Sequence, residues 1–387
     1  MDALIERGAQ CVVISGDSTD HALDVHSPAV GALARQVRRL AEHCPVLMLQ
    51  GTYSHEPPGT LDVFGCMGAK HPVYIADRIC QVALVDGRWV ASERWRFERV
   101  PAGAQLLVSC LPTLNKCAVA AAVGATEADW AVGEHIAAVL RGFSPINEEA
   151  RAAGVPTLGV SHGTVNGCVT EHGVPMAGLD HEFTTGSLFA AGASAFLLGH
   201  IHKHQGWRDG RRLIAYPGSI GRLHYGEQGA KGCLVWDVDA DGAEFEFIET
   251  PARRTLELDF DGPPDMDRLR AAVEQAQGAF VRVRWTVPED GRDSVDRGAI
   301  AAALDGAAEV KLEARIIPAE RTRAAGIGTA VTLEEKVQRW ADSVGVSAEP
   351  LIERLRLLQW DESEAIATAI LNDRASEMEE ARSTQEA

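Results

Sequence analysis

The chain has 387 residues, enough for two or three domains and a sizeable buried core. Its 37 basic and 55 acidic residues leave a net charge of −18, which excludes a broad basic face for coating nucleic acid but not a local DNA-binding cleft. No apolar run reaches membrane-spanning length and no signal-peptide pattern occurs. The eight cysteines lack Cys-x-x-Cys spacing, and Cys11, Cys110, Cys168 and Cys233 sit in or beside apolar runs, so they read as reduced thiols of a cytoplasmic protein.

In chain order, residues 11–15 form an apolar strand that breaks at Gly16 and presents Asp17 and Asp20. Residues 27–43 read as an amphipathic helix, with Ser27 as its cap, Pro28 at the first helical position, and Val30, Leu33, Val37 and Leu40 as its apolar stripe. A second strand over 46–50 presents Thr52, Tyr53, Ser54 and His55, completing a parallel strand–helix–strand unit. Residues 79–85 and 89–97 are predicted to form a hairpin around Asp86-Gly87, with a strand over 105–110. Residues 126–142 read as a helix opened by Thr126-x-x-Asp129. A strand over 156–161 then presents His162.

The run AFLLGHIHKH is the most informative stretch. Its apolar part, Ala195 to Leu198, breaks at Gly199 and is followed by His200 and His202. Residues two apart in extended chain face the same side, so both imidazoles are expected to point into one site just past a strand end, where α/β folds place chemistry. His172, His181 and His204 are not expected to be ligands. Short strands follow over 205–208, 212–216, 232–237 and 243–249, with turns at Asp209-Gly210 and Ala240-Asp241-Gly242; Trp207 and Trp236 read as core. After a boundary near Pro251, residues 254–317 alternate strand (255–260), helix (266–276), strand (280–286), helix (297–304) and strand (309–317), a small α/β module. Residues 318–330 read as a linker. Thr332-x-x-Glu335 caps a helix over 333–343 with Leu333, Val337, Trp340 and Val344 on one face, and helices near 350–358 and 361–371 precede an acidic tail.

Four apolar strands thus end in Gly or Ser and then present Asp or His. The pattern points to a metal site at the carboxyl edge of a sheet, because His and carboxylate ligands suit Mn, Fe or Zn. Asp17 is the candidate to bridge two ions.

The order Gly16-Asp17-x-x-Asp20, then Gly51-Thr52-Tyr53-Ser54-His55, then His162, then Gly199-His200-x-His202 resembles that of calcineurin-like metallophosphoesterases. The stretches GHIHKHQGW, YPGSIGRLHYGE and KGCLVWDVD are similar to those of the SbcD-like exonuclease subunit of the DNA double-strand-break repair complex, over roughly residues 1–250. The resemblance implies a two-sheet sandwich flanked by helices (1–250), a small α/β capping module (251–317) and a C-terminal helical region (318–387). It implies a metal-dependent DNA exonuclease and endonuclease with two divalent ions, Mn2+ first and Mg2+ or Fe2+ as alternatives. Asp17, Thr52, His162, His200 and His202 would ligate, with His200 and His202 serving different ions. His55 would act as catalytic histidine and Asp20 as orienting group. Arg222, His224 and Tyr225, after Gly218-Ser219, are expected either to meet the DNA backbone or to be buried against the site loops. The implied partners are an SbcC-like coiled-coil ATPase, docked on the C-terminal helices, and a second copy of the chain.

Two departures bear on these expectations. Thr52 stands where the family has asparagine. The family's first strand, ending in Asp-x-His, is missing ahead of residue 11, so a gap in the sheet is expected, and the coding DNA upstream is expected to read in frame through such a strand. Asp24-Val25-His26 reads as the start of a helix rather than a replacement. A degenerate, noncatalytic subunit and a small-molecule phosphoesterase stand as the alternatives.

Overall fold

Three short strands, β1 (Val12–Ile14), β2 (Val46–Leu49) and β3 (Val73–Ala76), pair in that order and all run parallel. Helix Pro28–Ala41 joins β1 to β2. The Ser27 hydroxyl oxygen accepts the Ala29 N–H and Pro28 occupies the first helical position, as the sequence predicts. The helix buries Val37, Leu40 and Ala41 in one cluster with Val12, Val46 and Met48, covering one face of the sheet. The computed structural model describes residues 1–19, 21, 24, 26–113, 128–170, 182–227, 229–318, 326–360 and 362–372.

The second sheet is built from β4 (Cys80–Val85), β5 (Arg88–Ala91), β6 (Ala104–Leu111) and β7 (Thr157–His162), joined after the small pair β8 (Thr164–Val165) and β9 (Glu182–Phe183) by β10 (Ala195–Gly199), β11 (Gln205–Asp209) and β12 (Arg212–Tyr216). Its order is β11-β12-β10-β7-β6-β4-β5, with a parallel centre of β12, β10, β7 and β6 and antiparallel strands at both margins. The β4–β5 turn is the predicted one: Asp86 and Gly87 both take positive φ, as a two-residue hairpin of this type requires. The predicted strand 89–97 stops at Ala91. There the Ser92 hydroxyl accepts the Gln81 N–H and the Gln81 side chain accepts the Phe97 N–H, replacing ladder bonds with side-chain bonds.

The helix predicted over 126–142 is observed as Ala128–Ala152; Thr126 lies outside the described residues. It runs through Pro145 because Ile136, Leu140, Phe143, Ile146 and Ala150 continue one buried stripe at helical spacing. Leu47, Leu49 and Ala76 of the first sheet share a buried cluster with Val82, Val108, Val160 and Ala195 of the second, so the two sheets close on a common core.

Next come β13 (Gly232–Val238) and β14 (Ala243–Glu249), an antiparallel pair. Cys11 just ahead of β1, Val12 and Val13 within it, and Leu234, Val235 and Trp236 along β13 line a cavity of about 580 Å³. Strands β15 (Thr255–Asp261), β16 (Phe280–Pro288) and β17 (Glu309–Ile317) form a third sheet in that order, β15 parallel to β16. The helix predicted over 266–276 is divided at Ala272 into Met266–Ala271 and Val273–Ala276. The chain is therefore a mixed α/β protein.

Contacts group Met1–Thr286 with Val295–Arg315 as one compact unit, so they do not divide at Pro251. The other unit contains Val287–Ser294 and the described residues of 316–387. Within it, helices Leu333–Val344, Glu349–Trp360 and 363–372 match the three predicted. Thr332 Oγ1 accepts the Glu335 N–H at 3.1 Å, and the Glu335 carboxylate accepts the Val331 N–H at 2.9 Å. Leu333, Trp340 and Val344 remain about half exposed. Among the described residues, no helix is long and apolar enough to cross a membrane.

Candidate metal centre

The parallel strands β1 and β2 end beside the ends of β7 and β10, and the loops leaving these four ends carry the predicted ligands. Asp17 follows β1, Thr52 follows β2, His162 closes β7 and His200 follows β10. The backbones approach closely here: a Cβ on Gly199 would collide with the Ser15 carbonyl oxygen. Asp17 (φ 51°) and His200 (φ 102°) are held in a left-handed conformation that L-residues avoid. Each such residue costs about 1–3 kcal/mol, persists only where its surroundings over-determine it, and is concentrated at functional sites.

Ligand atoms of Asp17, His162 and His200 lie within 4.8 Å of one another. The Ser15 carbonyl oxygen accepts from His162 Nδ1 at 2.8 Å; a carbonyl cannot donate, so Nδ1 carries a proton. That places His162 Nε2 3.0 Å from Asp17 Oδ2. In neutral imidazole this would set two lone pairs against each other, so the contact requires either a proton or a cation between them. His55 Nδ1 is buried 3.1 Å from the same Oδ2 without hydrogen-bond geometry. These atoms and their chemistry fit a divalent ion.

Thr52 donates its N–H to Asp17 Oδ1 at 2.7 Å and its hydroxyl to Oδ2 at 3.2 Å, with the hydroxyl 3.3 Å from His162 Nε2. Burial works to raise the Asp17 carboxyl's pKa. It is outweighed by the bond to His162 and its charge, the Thr52 amide and His55, which together hold the carboxyl well below the usual range.

Sequence reasoning missed Glu56. It is fully buried, accepting the Ser18 N–H at 2.6 Å and the Gly51 N–H at 2.7 Å. Its carboxylate thereby ties the loop after β1 to the loop after β2 and fixes Asp17 against Thr52. The Gln50 side chain in turn donates to the Glu56 carbonyl.

His202 departs from expectation. The structure groups it with His224 and Glu227, ligand atoms again within 4.8 Å, rather than with Asp17. The cause is the segment 219–231, which buries Glu227 beneath the loop after β10. Its Oε1 accepts the Leu223 and His224 N–H groups at 3.2 and 3.1 Å and lies 3.5 Å from His202 Nδ1. Its Oε2 pairs with Lys231, whose ammonium also donates to the His202 carbonyl and the Ser219 hydroxyl, both at 3.0 Å. Burial alone would raise the Glu227 carboxyl, but His202 and Lys231 bring it down to about 2.

Arg222 takes the second of its two expected places, as a staple within the fold. Its guanidinium donates to the carbonyls of Glu227, Ala252, Arg253 and Gly229, which occupies its N–H groups inside the fold. His224 lies over His202, ring centroids 6.4 Å apart, and Tyr225 lies under the Arg282 guanidinium. Asp24 and His26 stay exposed ahead of helix Pro28–Ala41. His204 hydrogen-bonds the Tyr216 carbonyl and packs on Phe245 and Phe247, as befits a non-ligand. Asp20, His172 and His181 lie outside the described residues. Comparison with protein-family models and with curated proteins finds no match for this chain.

Proposed function

We propose that the chain is a metal-dependent phosphodiesterase of the calcineurin-like, SbcD-like kind, a nuclease subunit acting on DNA in repair or recombination. The observation that carries this reading is the convergence of Asp17, His162 and His200 from three strand ends, two of them in strained backbone, with a His–carboxylate contact that takes a proton or a cation between its atoms. The two sheets sharing a core are consistent with the sandwich of that family.

Divalent ions bound there, Mn2+ by preference, would polarise the phosphodiester and bring a bound water's pKa towards neutrality. Asp17, His162, His200 and the Thr52 hydroxyl would hold one ion. Ser15 keeps His162 in the tautomer that offers Nε2, a support that typically raises ligand affinity. His55, about one-third exposed and against Asp17, would protonate a leaving oxygen. The exposed apolar face of helix Leu333–Val344 would dock a coiled-coil ATPase, with a second copy of the chain as further partner.

The noncatalytic alternative has one observation in its favour: Thr52 already bonds both Asp17 oxygens. Mn2+-dependent cleavage of a labelled linear duplex separates the two. Cleavage by the parent that is lost in Asp17→Ala and His200→Ala supports the enzyme. A folded parent that cleaves neither this duplex nor bis-p-nitrophenyl phosphate refutes it.

A further inference from the structure

We infer that Cys80 and Cys110 form a redox-sensitive staple, two thiols that close to a disulfide across β4 and β6 on exposure to a peroxide and reopen to a dithiol reductant. The inference goes beyond the proposed phosphodiesterase reading and does not rest on it.

Two observations carry it. The first is the register. Strands β4 and β6 are antiparallel, and Cys80 stands directly opposite Cys110. Directly opposed residues of such a ladder have Cα atoms about 4.5 or 5.5 Å apart, depending on the pair type, and both spacings fall within the span of about 4.4–6.8 Å that a disulfide bridges. Both side chains enter the core cluster between the two sheets, and neither exposes any surface. The strands therefore hold the two sulfurs where a bond forms without displacing the backbone. The second is the chemical asymmetry of the pair. The two thiols bond to each other, and the Tyr74 hydroxyl lies 3.7 Å from Cys80 Sγ. Burial pushes the Tyr74 hydroxyl's pKa up, so it keeps its proton and donates. The bonds from Cys110 and Tyr74 hold the Cys80 thiol below its ordinary pKa against the effect of burial, whereas its bond to Cys80 and its burial push Cys110 up. Cys80 is thus the nucleophile, and Cys110 is the resolving thiol that carries the proton.

The Cys80 thiolate attacks one peroxide oxygen. An S–O bond forms, the O–O bond breaks, and the departing hydroxide takes up the proton that Cys80 gave away and leaves as water, so that Cys80 becomes a sulfenic acid. The Cys110 sulfur then attacks the sulfenic sulfur. The S–S bond forms, the S–O bond breaks, and the hydroxyl leaves with the Cys110 proton as a second water. Two thiols lose two electrons in all and one peroxide is reduced. A dithiol reductant reverses the bond by exchange. Cys80 is the first residue of β4, just after exposed Asp77 and Arg78, so fraying of that strand end admits a small peroxide to a sulfur that a bulky reagent does not reach. Beyond Cys110 the chain meets the candidate metal centre. The Leu111 carbonyl accepts the Ser161 hydroxyl beside His162 at 2.7 Å, and the Thr113 carbonyl accepts the Tyr53 hydroxyl beside Thr52 at 3.0 Å. The staple thus fixes a strand whose end supports the segments carrying His162 and Thr52.

The test treats the metal-free chain in EDTA with a small excess of hydrogen peroxide, blocks the remaining thiols with iodoacetamide after unfolding, and maps the peptides by mass spectrometry. The expected result is one bridge joining the Cys80 and Cys110 peptides, removed by dithiothreitol. The bridged protein is expected to melt about 5–10 °C higher than the reduced one, because the cross-link restricts the unfolded chain. Cys110→Ala is expected to lose the rise and to leave Cys80 as a sulfenic acid that dimedone traps, whereas Cys80→Ala leaves Cys110 an alkylatable thiol. Both thiols remaining alkylatable after peroxide has oxidised the exposed Cys66, or a bridge from either one to another cysteine, overturns the inference. The peptide map of the parent decides this even where a core variant fails to fold. The readout involves neither metal nor DNA cleavage, so its failure and that of the proposed function are distinguishable.

Discussion

Removing the Lys231 ammonium is expected to be among the most costly single changes in this fold. Its side chain is 2% exposed and that of its partner Glu227 is fully buried. Lys231→Met keeps most of the stem and volume but leaves Glu227 ionised, buried and held only by the Leu223 and His224 N–H groups and the His202 ring. Breaking one side of a buried pair typically costs about 3–5 kcal/mol, most of it from the uncompensated charge. The lowered Glu227 carboxyl gives a figure for all its partners together, His202, Lys231 and the backbone N–H groups. The carboxyl falls from 4.5 in the open chain to about 2 in the fold, and that gap corresponds to ~3 kcal/mol of stabilisation. Because the folded value is the lower one, the contribution is complete above pH 4.5 and is lost as the pH falls towards 2. Urea unfolding of the metal-free protein in EDTA, parent against variant, is the assay. The difference should be about 3–5 kcal/mol at pH 7 and should shrink steadily below the open-chain value. The double variant Glu227→Gln, Lys231→Met should recover much of the loss, since no charge is stranded. A difference under about 1 kcal/mol at pH 7, or one indifferent to pH, would refute the argument that this pair is a desolvated anchor.

Gly199→Ala forces a methyl group onto the Ser15 carbonyl that orients His162, so it is expected to cost about 3 kcal/mol or more and to lower metal affinity at the Asp17 centre. Thermal unfolding together with metal titration checks both, and a variant as stable and as tight as the parent would contradict the close approach. Thr332→Ala removes the oxygen that accepts the Glu335 N–H and should cost helix Leu333–Val344 about 1 kcal/mol. Amide exchange of that helix should quicken severalfold while the β7 and β10 amides hold their rates.

How legible all this was differs with the range of the interactions involved. The first-sheet unit and the hairpins were readable because their signals are local: Ser27 and Pro28 start a helix, Asp86-Gly87 makes a turn, and alternating apolar residues make strands. The end of helix Ala128–Ala152 was not, since Gly142 and Pro145 argue locally for a stop while the buried stripe through Ala150 decides otherwise. The same division runs through the candidate site. Asp17, Thr52, His162 and His200 could be found because each follows an apolar strand. Glu56 and Glu227 could not, because what makes them important is the set of backbone N–H groups that loops distant in sequence bring to them. His202 shows the cost of reasoning from spacing alone. Two residues from His200, it was assigned to the same centre, yet the left-handed backbone at His200 breaks the extended alternation on which that inference rests. The positive φ at His200, within the Asp17 cluster, thus goes with a His202 ring that lies beside Glu227.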